Sequence, residues 1–354
     1  PRVPPLAEAP DPGAVQALFE LLKEAASPVA IVGGADWSPR AAHHFANFAF
    51  RYGIPTAAAF RRQDSIDNKC GVYAGNLGYG PNPKLQQRIR DADLVIAVGA
   101  RLGEATTDGY TLVTPDHPGQ TLVHVHPDPN ELGRVYHADL PICADMGEFA
   151  EMIDEWIDPD LVRFSAGEEA HREWLDWSEP KPAKGVKLVK LDLGPCVAAM
   201  RERLAENAII CNGAGNFSGW WHRYWRYGVM PTQLAPTSGT MGYGIPAAVA
   251  AALRFKDRPV VAVAGDGDFL MNGQELATAA QHGAGLLVIV VDNSSYGTIR
   301  MHQERDYPKR VKATELNNPD FAALARAYGG WAETVAKAAD FAPAPDCGRP
   351  GDME

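Results

Sequence analysis

Residues Val260–Arg300 read VVAVAGDGDFLMNGQELATAAQHGAGLLVIVVDNSSYGTIR. An apolar run, Val260–Ala264, enters Gly265-Asp266-Gly267. A helix-like stretch follows, then a second apolar run, Leu286–Val291, that ends in Asp292-Asn293. The intervening residues, 268 to 291, number 24. That is one helix plus one strand, the length of a right-handed crossover that returns the chain to the same sheet edge. Two parallel strands therefore deliver an Asp and an Asn to one edge, and open parallel sheets bind ligands outside the carboxyl ends of their strands. A carboxylate, an amide oxygen and a glycine turn there suit a magnesium diphosphate. Alone, Gly-Asp-Gly reads as a plain turn; its spacing from Asp292-Asn293 makes it a site.

The flanking sequence alternates in the same way. Val15, Leu18, Phe19 and Leu22 share a helical face within Pro12–Ala26, and Pro28–Val32 is a short strand ending in Gly33-Gly34. Ala41–Tyr52 reads as a helix, Ile54–Ala59 as a strand, Leu85–Ile89 as a helix, and Leu94–Val98 and Thr121–His126 as strands, with a helix at Met146–Trp156. A second series follows: helix Pro195–Leu204, strand Ala208–Cys211, a glycine turn at Gly213–Gly215, then helix Pro319–Tyr328 and a short strand Trp331–Val335. Strands alternating with helices indicate α/β architecture, here two doubly wound parallel-sheet domains. The expected division is 1–160 for the first domain, 161–190 for a charged connecting segment, 191–342 for the second domain and 343–354 for an irregular tail.

Composition sets the class of partner. With 33 Lys and Arg against 44 Asp and Glu, the net charge is −11, which argues against nucleic acid or an anionic membrane surface. No apolar run is long enough to span a membrane. Cys70, Cys143, Cys196, Cys211 and Cys347 are odd in number and lack a C-x-x-C, so neither a disulfide framework nor a zinc site is expected, and a reducing cytoplasm fits. The opening PRVPPLAEAPDP has no initiating Met and reads like an interdomain linker, so further chain is expected upstream.

The segment from Gly265 to Asn293 resembles the thiamine diphosphate signature, a Gly-Asp-Gly followed one crossover later by Asn-Asn. The resemblance continues through Gln274-Glu275-Leu276-Ala277-Thr278-Ala279 and Tyr296-Gly297-Thr298-Ile299-Arg300-Met301-His302-Gln303-Glu304, which are wordings of the acetolactate synthase and pyruvate oxidase group. It covers about residues 14–342, with 1–160 similar to that group's middle domain and the second domain similar to its diphosphate-binding domain. The resemblance implies that Asp266 and Asn293 each give magnesium a side-chain oxygen, and Ser295 a backbone carbonyl. Asp292 stands where the family has its first Asn. Gly215, Asn216 and Phe217 fall where the family contacts the diphosphate, a helix-opening turn suited to an anion. Gly239 matches the carbonyl that holds the aminopyrimidine, and Met241 the wedge that bends the cofactor. Gly265, Gly267, Asp268, Tyr296, Gly297 and Thr298 complete the implied cofactor-binding set.

The implied activity is thiamine diphosphate- and magnesium-dependent decarboxylation of a pyruvate-like 2-keto acid, with carboligation to a second carbonyl compound. A simple decarboxylase releasing aldehyde, a non-catalytic cofactor-binding subunit and a fragment stay open. In the family the activating Glu belongs to an N-terminal pyrimidine-binding domain. That role is carried onto no residue here, so the catalytic residue is unassigned and the isolated chain is expected to be inactive. A homodimer or homotetramer, or a separate pyrimidine-binding chain, is the implied partner. The turns at Gly33-Gly34 and Gly99-Ala100-Arg101 resemble those that hold FAD in acetolactate synthases. The wording after Arg101 departs from the flavin enzymes, so ordinary strand-end turns are favoured over FAD. The aromatic stretch Trp220–Tyr227 reads as packing or interface, with a substrate pocket as the alternative, and Arg300 and His302 are candidates near the substrate.

Overall fold

The computed structural model describes residues 7–34, 36–115, 119–181, 191–228 and 230–341. The expected tail, part of the 161–190 segment and Cys347 therefore lie outside the described residues. The chain divides into two compact units, Pro1–Ser178 with Arg226–Pro231, and Glu179–Trp225 with Thr232–Glu354.

The first unit runs α1 (Pro12–Glu24), β1 (Pro28–Val32), α2 (Pro39–Tyr52), β2 (Thr56–Ala58), β3 (Tyr73–Asn76), α3 (Pro83–Arg90), β4 (Leu94–Val98), β5 (Thr121–His126), β6 (Leu140–Cys143), α4 (Met146–Glu155) and α5 (Ala166–Trp177). Its six strands are parallel in the order β3-β2-β1-β4-β5-β6, the order of doubly wound nucleotide-binding sheets. Continuous apolar runs suit strands covered on both faces. Accordingly Ala30 and Val32 of β1 join one core with α1, α2 and α4, while Val29 and Ile31 join the core on the other face with α3. Asp11, Ser38, Asn82 and Asp145 cap α1, α2, α3 and α4 by accepting from helix-opening N–H groups.

The second unit runs α6 (Leu193–Arg203), β7 (Ile209–Asn212), α7 (Ser218–Tyr224), β8 (Gln233–Leu234), α8 (Gly244–Arg254), β9 (Val260–Gly265), α9 (Asp266–Asn272), α10 (Leu276–His282), β10 (Leu287–Val291), α11 (Gly297–Asp306) and α12 (Phe321–Ala327). Its strands are parallel in the order β10-β9-β7-β8. β9 is fully buried and β10, at the edge, half-buried. The small residues Ala248, Ala251 and Ala252 let α8 pack on Ile209, Cys211, Val260, Ala262 and Ala264.

Two expectations differ from what is found. Residues 331–335 form no strand, and Trp331 is 73% exposed; the run Trp-Ala-Glu-Thr-Val carries an exposed Glu333 and pairs with no strand among the described residues. The 161–190 segment, expected as connecting chain, contains α5. Ala170 and Trp174, one helical turn apart, are both buried. Trp174 meets Tyr73 of β3 edge-to-face at 4.7 Å, and Glu173 pairs with Lys84 and Arg88 of α3. The four described cysteines are all free, and no described helix is long and apolar enough to cross a membrane. Trp174→Ala is expected to remove about 3 kcal/mol of local stability, read as a roughly hundredfold faster amide exchange in β3. Unchanged exchange there would contradict the packing role given to α5.

Candidate functional site

The second unit's strand order switches direction between β7 and β9, and the turns that leave these two strands meet there. Gly213 N–H donates to Val263 O at 3.0 Å, tying the two strand ends together. Helix α8 starts close against them: a Cβ on Gly244 would stand 2.8 Å from Gly213 N and 3.2 Å from Val263 O. Only glycine allows that approach.

Asp268, buried in the first turn of α9, holds two loops at once. Its Oδ1 accepts from Ala214 N–H at 3.2 Å and from Gly242 N–H at 2.7 Å. The Gly213–Phe217 turn and the Gly239–Gly244 segment are therefore fixed to one carboxylate. Gly242, left-handed at φ 82°, also accepts from Asn272 Nδ2 at 2.8 Å. Phe217 packs its ring where a Cβ on Gly215 or Gly265 would fall, and Tyr296 does the same at Gly267. Asn216 N–H donates to Thr298 Oγ1 at 3.1 Å. Gly215 N–H and Phe217 N–H take no partner among the described residues, which leaves two donors at the start of α7 for an anion.

Asp266 is 3% exposed. Its Oδ1 accepts from Gly267 N–H at 2.9 Å. Its Oδ2 accepts from Ser295 N–H at 3.2 Å and from Asn318 Nδ2 at 2.8 Å. Ser295 N–H is shared: it also donates to Asn293 Oδ1 at 3.0 Å. The side-chain oxygens of Asp266 and Asn293 thus converge on one N–H. Ser295 O accepts from Gly297 N–H at 2.8 Å, and a carbonyl has a second lone pair. No Lys, Arg or His among the described residues is ion-paired with Asp266. A buried carboxylate without a cation is costly unless its charge is answered, so the hard-oxygen set of Asp266, Asn293 and Ser295 fits a small divalent cation.

The loop after β10 is held by residues that spacing alone did not single out. Asp292 Oδ1 accepts from Ser294 N–H at 2.9 Å, Ser294 Oγ at 3.2 Å and Asn318 Nδ2 at 2.8 Å. This supports Ser294 in its left-handed conformation, φ 53°. Ser295 Oγ and Tyr296 N–H both donate to Thr314 O, and Leu316 N–H to Ser294 O. Thr314 and Asn318 come far along the chain, and neither carries a motif.

Other expected residues make no hydrogen bond to Asp266 or Asn293 among the described residues. Gly239 is exposed at φ 75° with open space where a Cβ would stand, and Met241 is half-buried. Arg300 pairs with Glu304 at 3.0 Å, and His302 lies exposed on the same helix. Trp221 and Trp225 are buried, as packing residues would be.

In the first unit the order switches between β1 and β4. Gly34 and Gly99, both left-handed, face each other so closely that a Cβ on Gly34 would run into Gly99 O and one on Gly99 into Gly33 O. Trp37 Nε1 donates to Gly33 O at 2.7 Å. Arg101 pairs with buried Glu131 at 3.0 Å. His124 Nε2 lies 2.9 Å from Ala100 O, so it carries the proton. Burial pushes the His124 imidazole below its ordinary value.

These features define an α/β protein of two parallel sheets, with a buried carboxylate and open backbone N–H groups gathered at the switch point of the second. Two family models match it: "Thiamine pyrophosphate enzyme, C-terminal TPP binding domain" over residues 213–346, and "Thiamine pyrophosphate enzyme, central domain" over residues 15–153. The chain belongs to the thiamine pyrophosphate enzyme family. It is 32% identical over 334 residues to the acetolactate synthase large subunit of Parasynechococcus marenigrum, covering 91% of this chain and 52% of that protein. It is 26% identical to the sulfoacetaldehyde acetyltransferase of Castellaniella defragrans, covering 94% and 60%. The chain thus spans between half and two thirds of the length of these relatives. A thiamine diphosphate-dependent 4-hydroxybenzoylformate decarboxylase from Rhodococcus jostii shares the fold, with a TM-score of 0.77 at 24% identity, covering 96% of this chain and 62% of that one.

Gly213→Ala is expected to displace the Asp268 carboxylate, into which the new methyl would run, and to destabilise the second unit by about 2 kcal/mol or more. Gly219→Ala, in α7 with open space around it, is expected to be neutral or stabilising by about 0.5 kcal/mol. Thermal unfolding of the two variants checks this; equal midpoints would contradict it.

Proposed function

We propose that this chain holds thiamine diphosphate and magnesium for decarboxylation of a pyruvate-like 2-keto acid with carboligation, in the manner of acetolactate synthases. The observation that carries the reading is the shared Ser295 N–H, which ties Asp266 Oδ2 and Asn293 Oδ1 to one loop and so sets the Asp266 carboxylate, with its remaining Oδ1 site, beside the Asn293 amide. When bound, the cofactor supplies a nucleophilic carbon and an electron sink for the lost carboxylate. The residues of this chain bind and orient it. Asp266 Oδ1, Asn293 Oδ1 and Ser295 O hold the cation. Gly215 N–H and Phe217 N–H, at a helix start, meet the diphosphate. Asn216, Thr298, Tyr296 and Gly297 shape the diphosphate pocket with Gly265 and Gly267. Asp268 keeps the Gly239–Met241 segment in register with it, so that Gly239 O and Met241 take the aminopyrimidine and the bend between the rings.

The activating Glu is assigned to a pyrimidine-binding domain, from a second copy or a separate chain, and the reaction to the assembly with that domain. The expected assembly is a homodimer or homotetramer. The first unit is read as flavin-free, because the Gly33–Gly34 and Gly99–Ala100 turns pack on each other and Arg101 is already paired with Glu131.

Calorimetry with thiamine diphosphate tests the site. Binding should require magnesium, and Asp266→Ala should weaken it by about 100-fold or more. Magnesium-independent binding, or an unaffected variant, would overturn the assignment. With a pyrimidine-binding domain and pyruvate added, acetolactate is the expected product. Aldehyde would instead favour a simple decarboxylase, and cofactor binding without product a non-catalytic subunit.

A further inference from the structure

Asn318 lies in the segment between α11 and α12, which is stitched to the loop after β10. Ser295 and Glu315 form a bridge, Tyr296 N–H donates to Thr314 O, and Leu316 N–H donates to Ser294 O. This backbone frame brings Asn318 Nδ2 to 2.8 Å from Asp266 Oδ2 and 2.8 Å from Asp292 Oδ1. Its two N–H bonds can therefore be divided between carboxylates that leave neighbouring strands.

The consequence falls on Asp266. A carboxylate oxygen has two lone-pair sites. On Oδ2 both are taken, one by Asn318 Nδ2 and one by Ser295 N–H. On Oδ1 one is taken, by Gly267 N–H, and one is left. The amide oxygen of Asn318 adds a second observation: Oδ1 is buried and has no hydrogen-bond partner. Buried polar atoms are nearly always satisfied, so a donor from a bound group is wanted at that point. Magnesium keeps several of its waters, and such a water is a donor of the right kind.

We propose that Asn318 is a positioning residue for the cation: it occupies Asp266 Oδ2 so that only Oδ1 faces the metal, and its own Oδ1 accepts from a water on that metal. The inference rests on the magnesium reading above. It gives Asn318 a role in choosing the cation. Magnesium demands a tight octahedron, which a one-oxygen carboxylate suits, whereas calcium takes carboxylates through one or both oxygens and accepts more ligands. Holding Oδ2 back therefore favours magnesium.

The test measures magnesium and calcium affinities of the full chain, each by displacement of manganese followed by electron paramagnetic resonance, with thiamine diphosphate present. In Asn318→Ala the magnesium affinity should fall by about 10-fold or more, in the range seen for residues that orient metal ligands. Calcium should lose less, so that the preference for magnesium shrinks. Asn318→Ser, whose short hydroxyl does not span both carboxylates, should behave alike and serves if the alanine variant does not fold. Asn318→Gln, with the same amide, should recover part of the preference. A merely structural role would weaken both cations equally. If the native chain binds manganese and the variants keep its magnesium preference, the role of Asn318 is overturned while the magnesium site stands. If the native chain binds no divalent cation, the magnesium reading itself fails.

Discussion

The second unit depends on a buried carboxylate that no side-chain cation among the described residues answers. Asp266 leaves the end of a fully buried strand at the sheet's switch point, and its described partners are N–H groups alone. Those donors soften the charge without cancelling it. Ser295 N–H reaches Asp266 only because Ser294 adopts a left-handed backbone, and Ser294 is held there by Asp292. Asn318 then joins Asp266 to Asp292. The loop after β10 is in effect folded around one acidic group, and a cation is the natural complement.

A second carboxylate organises the other side. Asp268 is two residues along from Asp266, in the first turn of the same helix, where the helix dipole favours negative charge. It collects amides from two loops that are distant in sequence. Glycine at 213 and 244 lets those loops approach the strand ends. The Gly-Asp-Gly-Asp run thus presents one carboxylate toward the loop after β10 and uses the next to hold the surrounding loops.

Much of this was legible in the sequence because it is periodic or closely spaced. Five-residue apolar runs marked β1 and β4, and the crossover length between Gly267 and Asp292 marked the switch-point edge. What was not legible depends on long-range closure. Asn318 reaches Asp266 across 52 residues, and no local pattern announces it. Helix α5 was hidden by its charge: Glu168, Glu169 and Glu173 masked the three buried residues, Gly167, Ala170 and Trp174, of which Trp174 packs on Tyr73 of the sheet. The segment 331–335 erred the other way, since the strand-favouring residues Trp331, Thr334 and Val335 do not make a strand without one to pair with.

The proposed function requires Asp266, Asn293 and Ser295 to surround one cation. A crystal of the chain grown with thiamine diphosphate and manganese, measured for anomalous scattering, tests it most directly. One strong anomalous peak bonded to Asp266 Oδ1, Asn293 Oδ1 and Ser295 O is expected. A peak elsewhere in the second unit, or a bound diphosphate with no metal against Asp266, would contradict it.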